Sequence, residues 1–469
     1  MTPFTRLLLL TGLVLGYTAR AQEPQSFTLE QAQAYAVEHA FDVLNARYEA
    51  EVASREVKET RTQGLPQING TIEYNNYIDI PVQVAEGNVF GLPMFLNEFL
   101  GGVSAATGVP INAPPTDPNA ISEFQFGADQ TATAGIQATQ LIFDGSYFVA
   151  LKASRSYAEA MRQGIRRSEA DVRKSVAEAY HLALVAEENI EVLRASFELV
   201  QRSFEETRQL FEAGFLEALD VDQLQLSVSD IESRLRYAEL QQGAALDYLK
   251  FTMGLQLTTD IALSSEVETL LANVDPVLLQ NNFDPTLLPE YKVQRSYVEL
   301  AGLGVQLEKA RRMPSISAFY TNQRNAQRFE FDFFDSNGRW YPIQLWGVQM
   351  RIPIFSSGLG HHSIQKAKVK ELQAQAALNQ IEQGARLEYR NARIEFENAL
   401  EQRRIQRSNL ELAERIFDRT QTKYGEGLSS SLELTQVRNQ LLTAQGSYIN
   451  ATLQVLNARV RLQKALNNL

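Results

Sequence analysis

No cysteine occurs among the 469 residues, which excludes disulfides, thiolate-bound zinc, iron–sulfur ligation and a lipidated N-terminal cysteine. Proline is missing from two long tracts. All 15 prolines lie at positions 3–118 or 276–353, so 119–275 (157 residues) and 354–469 (116 residues) have none. Proline breaks helix interiors, and proline-free polar tracts of this length favour two long helical arms over a string of compact domains. Basic charge is in deficit as well, with 44 Lys and Arg against 56 Asp and Glu (net −12), so the chain has no electrostatic footprint for a nucleic acid. G-x-S-x-G, H-E-x-x-H and phosphate-loop patterns are all absent, and no catalytic residue, cofactor or metal is expected.

What is present begins with a leader. Arg6 precedes the apolar run Leu7–Gly16, and Ala19-Arg20-Ala21 forms a small-x-small cleavage site, so residues 1–21 read as a secretory signal peptide. Removing Arg6 and Arg20 leaves 42 basic against 56 acidic residues, or −14. Beyond the leader no apolar stretch reaches the roughly 18 residues of a spanning helix, so a membrane-embedded form has to be a β-barrel.

The chain also matches itself. Phe211-Glu-Ala-Gly214-Phe-Leu-Glu-Ala-Leu219-Asp220-Val221 aligns without a gap on Tyr424-Gly-Glu-Gly427-Leu-Ser-Ser-Ser-Leu432-Glu433-Leu434, an offset of 213. Gln140-Leu-Ile-Phe-Asp-Gly145 corresponds to Arg351-Ile-Pro-Ile-Phe-Ser-Ser-Gly358, and Gly64-Leu65-Pro66 to Arg312-Met313-Pro314. The predicted first repeat, 22–254, holds strands at 67–80 and 134–143, a long helix at 146–212, a turn at 213–219 and a return helix at 220–254. The second, 255–469, holds a leading segment at 255–312, strands at 315–323 and 343–355, a long helix at 359–424, a turn at 425–432 and a return helix at 433–467. Each long helix runs roughly 65 residues, about 100 Å at 1.5 Å per residue. Val172, Val176, Ala179, Tyr180, Ala183, Ile190, Leu193 and Phe197 form a narrow stripe that suits helix-on-helix packing, either in a coiled-coil assembly or in one long hairpin bundle.

Strand 67–80 alternates Ile68, Gly70, Ile72 and Tyr74 with Asn69, Thr71, Glu73 and Asn75, giving one apolar and one polar face. In the last strand Trp346, Val348, Met350, Ile352 and Ile354 alternate with Leu345, Gln349 and Arg351. Trp340, Tyr341 and Trp346 are candidates for an aromatic girdle. Segment 81–125, rich in Gly and Pro, reads as a long outer loop, either a plug or lid or a tolerated loop variation; its counterpart is 324–342. Four strands cannot close a barrel, and their open edges would leave backbone groups unsatisfied in lipid, so the protomer is expected to oligomerise. Two copies give eight strands, three give twelve with room for a channel, and four give sixteen.

In this order, twice over, the strand entries, strand exits and glycine turns resemble the TolC family of outer-membrane efflux proteins. The resemblance implies a mixed α and β membrane protein. In that family a homotrimer shares one 12-stranded β-barrel, and its α-helical coiled-coil hairpins form a periplasmic tunnel. It implies as partners a periplasmic adaptor protein, an inner-membrane transporter and outer-membrane lipid, in an efflux or type I secretion system. The resemblance covers a leading helix at 28–64, and the belt midway along such a tunnel falls on 255–312, its helix around 290–310 included, together with the helix around 28–45. The adaptor-docking tips fall on Gly214, Phe215 and Leu216 and on Gly427, Leu428 and Ser429. A structural or adhesive envelope coiled-coil protein, anchored by the strands, is the alternative.

Asp220, Asp222 and Glu433 follow the two tips. In an oligomer their copies converge into a carboxylate ring that selects cations, while in the blander reading Asp220 caps a helix and Glu433 favours a first turn. Tyr424 stands where family members use a tyrosine to hold the tip closed. No arginine follows Gly427 closely, which leaves Arg208 or Lys423 as donors. His361 and His362 are adjacent and point about 100° apart, a poor chelating geometry.

Overall fold

The computed structural model describes residues 25–80, 82–86, 94–111, 121–125, 127–272 and 283–469. The predicted leader and Pro276 lie outside these residues. The chain divides into two compact units. One comprises the residues up to Val57 with Lys152–Val305 and Gln365–Leu469, and the other comprises Lys58–Leu151 with Gln306–Ile364.

The first unit opens with β1 (Gln25–Phe27), α1 (Leu29–His39) and the start of α2 (Phe41–Thr62). Thr28 begins α1 with a reciprocal cap: its Oγ1 accepts from Gln31 N–H at 3.2 Å, and Gln31 Oε1 accepts from Thr28 N–H at 2.9 Å. The predicted continuous helix 28–64 is broken. Ala40 is extended at ψ 138, and Gly254 sits against that break, so close that a Cβ on Gly254 would lie 2.3 Å from His39 O. Gly254, in the left-handed region at φ 78, also ends the return helix, so one residue serves a helix stop and a backbone-to-backbone contact.

The second unit holds β2 (Gln67–Asn76), β3 (Val82–Glu86), α3 (Met94–Thr107), β4 (Ile121–Gln125) and β5 (Gln130–Asp144). Segment 81–125 is therefore not a plain loop among the described residues. β3 and β4 pair antiparallel, and α3 lies between Pro93 and Pro110, where no proline interrupts it. From β5 the chain enters α4 (Gly145–Glu212), 68 residues long, whose start is held by Asp144 Oδ1 accepting from Ser146 N–H at 2.7 Å. Next come α5 (Ala218–Met253), β6 (Ile261–Leu263), α6 (Val267–Ala272) and, past a single 3-10 turn at Pro285–Leu287, α7 (Pro289–Ala310). The chain ends with β7 (Ser315–Arg328), β8 (Tyr341–Arg351), α8 (Leu359–Gly425, 67 residues) and α9 (Ser431–Ala465). No helix of the described residues is long and apolar enough to cross a membrane.

In the helical unit β1 pairs parallel with β6. Tyr180, fully buried, joins them to α4: its hydroxyl donates to Phe27 O at 2.9 Å and accepts from Ser265 N–H at 3.1 Å. Around it pack Val43, Val176, Leu249, Met253, Phe396, Leu456 and Leu462, from α2, α4, α5, α8 and α9.

The sheet of the second unit has the order β2-β5-β7-β8, antiparallel throughout. β2 stops at Asn76 rather than 80, while β5 begins earlier and β7 ends later than their apolar patterns predict. Both are inner strands paired on each side, so ladder hydrogen bonds extend them through Ala, Thr and Asn positions that carry no apolar signal. Alternation places Ile68, Ile72 and Tyr74 with Ile136, Tyr320, Trp346, Val348 and Met350 on one face. Except at its Tyr74–Ala132–Ala326 end, that apolar face is bare: Ile72 is 91% and Trp346 79% exposed. The opposite face carries Asn69, Thr71, Glu73, Thr133, Gln137, Thr321, Gln323 and Gln349.

Candidate functional site

Both tips are built the same way. α4 ends in Gly214 (φ 83), with Phe215 N–H bonded back to Leu210 O at 2.9 Å, and α8 ends in Gly427 (φ 73), with Leu428 N–H bonded to Lys423 O at 2.8 Å. This is the six-to-one closure that a left-handed glycine allows. It projects Phe215 (78% exposed) and Leu428 (73% exposed) from equivalent places, with Leu216 and Ser429 half-buried behind them.

The carboxylates diverge from there. Asp220 is not the cap of α5. Glu217 holds that position, and Asp220, one turn in, reaches back to accept from Glu217 N–H at 3.3 Å through Oδ2. Its other oxygen, Oδ1, accepts from Ser431 Oγ at the start of α9, so the two tips are tied directly. Ser431 is buried, and Gln223 Oε1 lies 3.0 Å from the same hydroxyl. Glu433 stays local: its N–H is capped by Ser430 Oγ at 3.2 Å, and its Oε2 accepts from Ser429 Oγ at 2.7 Å. Asp222 is exposed on α5. In one chain, then, Asp220 is committed to the tie between the tips and Glu433 to its own turn.

Tyr424 meets α4. Its hydroxyl is 3.0 Å from Oγ1 of the buried Thr207. Arg208 is not its donor, because that guanidinium pairs with Glu205 and Glu212 on its own helix. The cation that feels Tyr424 is Arg438 of α9, which is 3% exposed, with Nε and Nη1 lacking a hydrogen-bond partner among the described residues. Burial lowers the Arg438 pKa from its ordinary value, opposed by Tyr424. Sequence reasoning missed Thr207, Ser431 and Arg438, because a search for charges near the glycine passes over an uncharged threonine and serine and an arginine well inside α9. The available signal was Ser431 and Arg438, seven apart, at positions a coiled-coil seam would fill.

The three aromatic candidates do not form one girdle. Trp346 lies opposite Tyr320 on the apolar face, Tyr341, five residues earlier, alternates to the other face, and Trp340 precedes β8, its ring 6.4 Å from Phe333. The rings of His361 and His362 meet edge to face at 5.5 Å, and no group of three metal-ligating side chains occurs among the described residues.

The sequence model of outer membrane efflux proteins matches residues 119–255 and 289–468. The chain belongs to the outer membrane efflux protein family. It is similar to a probable efflux pump outer membrane protein, TtgC, of Pseudomonas putida, 25% identical over 384 residues that cover 78% of this chain and 73% of the relative. It is also similar to the outer membrane protein TolC of Vibrio cholerae, 24% identical over 349 residues, 70% of this chain and 76% of that one. Its fold is that of the Campylobacter jejuni CmeC outer membrane channel (TM-score 0.68, 16% identity, 94% of this chain and 85% of that one) and of CusC (TM-score 0.68, 16% identity, 93% and 91%). This outer membrane efflux protein is an outer-membrane channel component, with the tips just described at the ends of its long helices.

Proposed function

We propose that the protein is a homotrimeric conduit that takes substrates from an inner-membrane transporter and a periplasmic adaptor to the cell exterior. The four-stranded sheet carries this reading: its apolar face is bare except at the Tyr74 end, and β2 and β8 have no strand beyond them among the described residues. In lipid those edges need partners, and copies of the same chain supply them. Three copies give twelve strands with a polar lumen lined by Glu73, Gln137, Thr321 and Gln349. The adaptor docks on the exposed tip residues Phe215 and Leu428, and the entrance lies between tips where copies of Asp220, Asp222 and Glu433 select cations. No catalytic role is part of this reading.

Light scattering of the purified full-length chain in detergent is expected to give three copies, and planar bilayers are expected to show cation-selective conductance. Asp220→Asn, Asp222→Asn and Glu433→Gln together should lower that selectivity. Unchanged selectivity sinks the carboxylate ring, whereas an absence of any conductance favours a structural envelope protein.

A further inference from the structure

A shallow groove of about 610 Å³ crosses β2, β5 and β7, lined by Thr71, Gly135 and Gln323 of the polar face and by Gly70, Ile72, Ala134, Ile136, Asn322 and Arg324 of the apolar one. The registers Gly70↔Ile136↔Asn322 and Ile72↔Ala134↔Arg324 make the latter six two adjacent rows of one face. Gly70 and Ala134 keep the floor low between Ile72 and Ile136. Arg324 is exposed at the β7 wall and, among the described residues, joins no ion pair.

One row further, away from the strand-to-helix junctions, the face presents Tyr74, Ala132 and Ala326. There the connection 329–340 folds over it. Phe331 and Phe333 meet the Tyr74 ring edge-on at 5.5 and 5.7 Å, and Phe333 and Ala326 are buried beneath. Arg328 holds the fold through Asp332 Oδ1 at 2.9 Å and a bond donated to Arg339 O at 2.9 Å. Yet Phe329, Phe331 and Phe334 remain 72, 61 and 90% exposed. The result is an aromatic shelf closing one end of a groove whose wall carries an unpaired cation.

We propose that groove and shelf bind a phosphate-bearing acylated lipid of the outer leaflet. An acyl chain lies over Gly70 and Ala134, a phosphate meets Arg324 and Asn322, and the exposed phenylalanine rings sit at headgroup level. The site continues the face that already meets the membrane, so its apolar part needs no separate burial. The cation available to an anion is Arg324, because Arg328 is taken up by Asp332. Glu330 and Asp335 balance Arg324 and Arg339, so the attraction for an anion rests on the placement of Arg324 beside the groove and not on a net charge. A guanidinium paired with a phosphate in a low-dielectric surface is a strong, charge-assisted contact.

The proposal rests on the apolar face being the lipid-facing one, and the test separates the two. The chain has two tryptophans, so Trp340→Phe leaves Trp346 as a reporter of the face and Trp346→Phe leaves Trp340 as a reporter of the shelf. The full-length protein is placed in vesicles containing brominated phosphatidylcholine, and lipid A bound per protomer is then measured by native mass spectrometry. Bromine is expected to quench both tryptophans. Arg324→Gln, and Gly70→Ile, whose Cβ meets nothing closer than 4.0 Å, should each lower lipid A retention about tenfold with the melting temperature unchanged. If Trp346 is not quenched, the lipid-facing assignment fails and the site with it. If Trp346 is quenched but neither variant changes retention, the site alone is refuted.

Discussion

The return helices α5 and α9 leave matching turns and then differ in what they bury: α9 adds a polar line that α5 lacks. On α5 the buried positions Leu224, Ile231, Ala238 and Ala245 recur every seven residues, an apolar coiled-coil line. On α9 an apolar line, Leu434, Leu441, Tyr448, Val455 and Leu462, is accompanied by a second, polar seven-residue line, Ser431, Arg438, Gln445, Thr452 and Arg459. Arg438 Nε and Nη1, Gln445 Oε1, Thr452 Oγ1 and Arg459 Nε are buried on it without a hydrogen-bond partner among the described residues. The duplication therefore preserved backbone geometry at the tips and let the energetics of the two seams diverge. Apolar seam positions stabilise, while polar ones cost stability and constrain register, as polar seam residues do in coiled coils.

The harshest way to break the contrast is to put a cation on the apolar line. Leu224→Arg buries a charge at a fully enclosed position and should cost more than about 4 kcal/mol, read as loss of the folded oligomer on size exclusion. The next effect uses pH. His181 of α4 lies with Nδ1 3.1 Å from Asn457 Oδ1 of α9, and burial lowers its pKa to about 4, against the opposing Asn457 hydrogen bond. Between the unfolded value near 6.5 and about 4 the unfolded chain binds the extra proton, so stability falls as pH drops through that window and levels off below it. The loss approaches about 3 kcal/mol, and His181→Gln should flatten this part of the melting-temperature profile. Third, Arg438→Met converts one polar seam position to apolar. It should stabilise the chain by about 2 kcal/mol in chemical denaturation, because an unpaired buried guanidinium is removed. A destabilised Arg438→Met variant would reverse the contrast between the seams.

How far the sequence disclosed this contrast depends on the physics behind each part. The repeat offset, the long helices and both glycine turns are legible, because glycine at a left-handed stop and proline outside helices are local rules. The break at Ala40 is not, since it depends on Gly254 meeting backbone more than 200 residues away. The inner strands β5 and β7 run past their apolar pattern because neighbours on both sides extend them. At the candidate site, Asp220 and Tyr424 could be picked out by type and place, but their partners Ser431 and Thr207 are distant in sequence and chemically ordinary. Arg438 is hidden by a habit of reading arginine as solvated, which its 3% exposure contradicts.

The smallest effect tests the shared half of the comparison. Gly214 and Gly427 both occupy the left-handed region, and a Cβ at either meets nothing within 4 Å, so an alanine there is opposed by backbone conformation and not by packing. Gly214→Ala and Gly427→Ala should then each cost about 1 kcal/mol, and by equal amounts. Equal losses in chemical denaturation identify the turn as a common module on which two different seams were built. If Gly427→Ala costs distinctly more, the second turn is coupled to the Ser431, Tyr424 and Arg438 contacts beside it. In that case the tips differ in energy as well as in seam, and their matching backbone geometry conceals a second divergence.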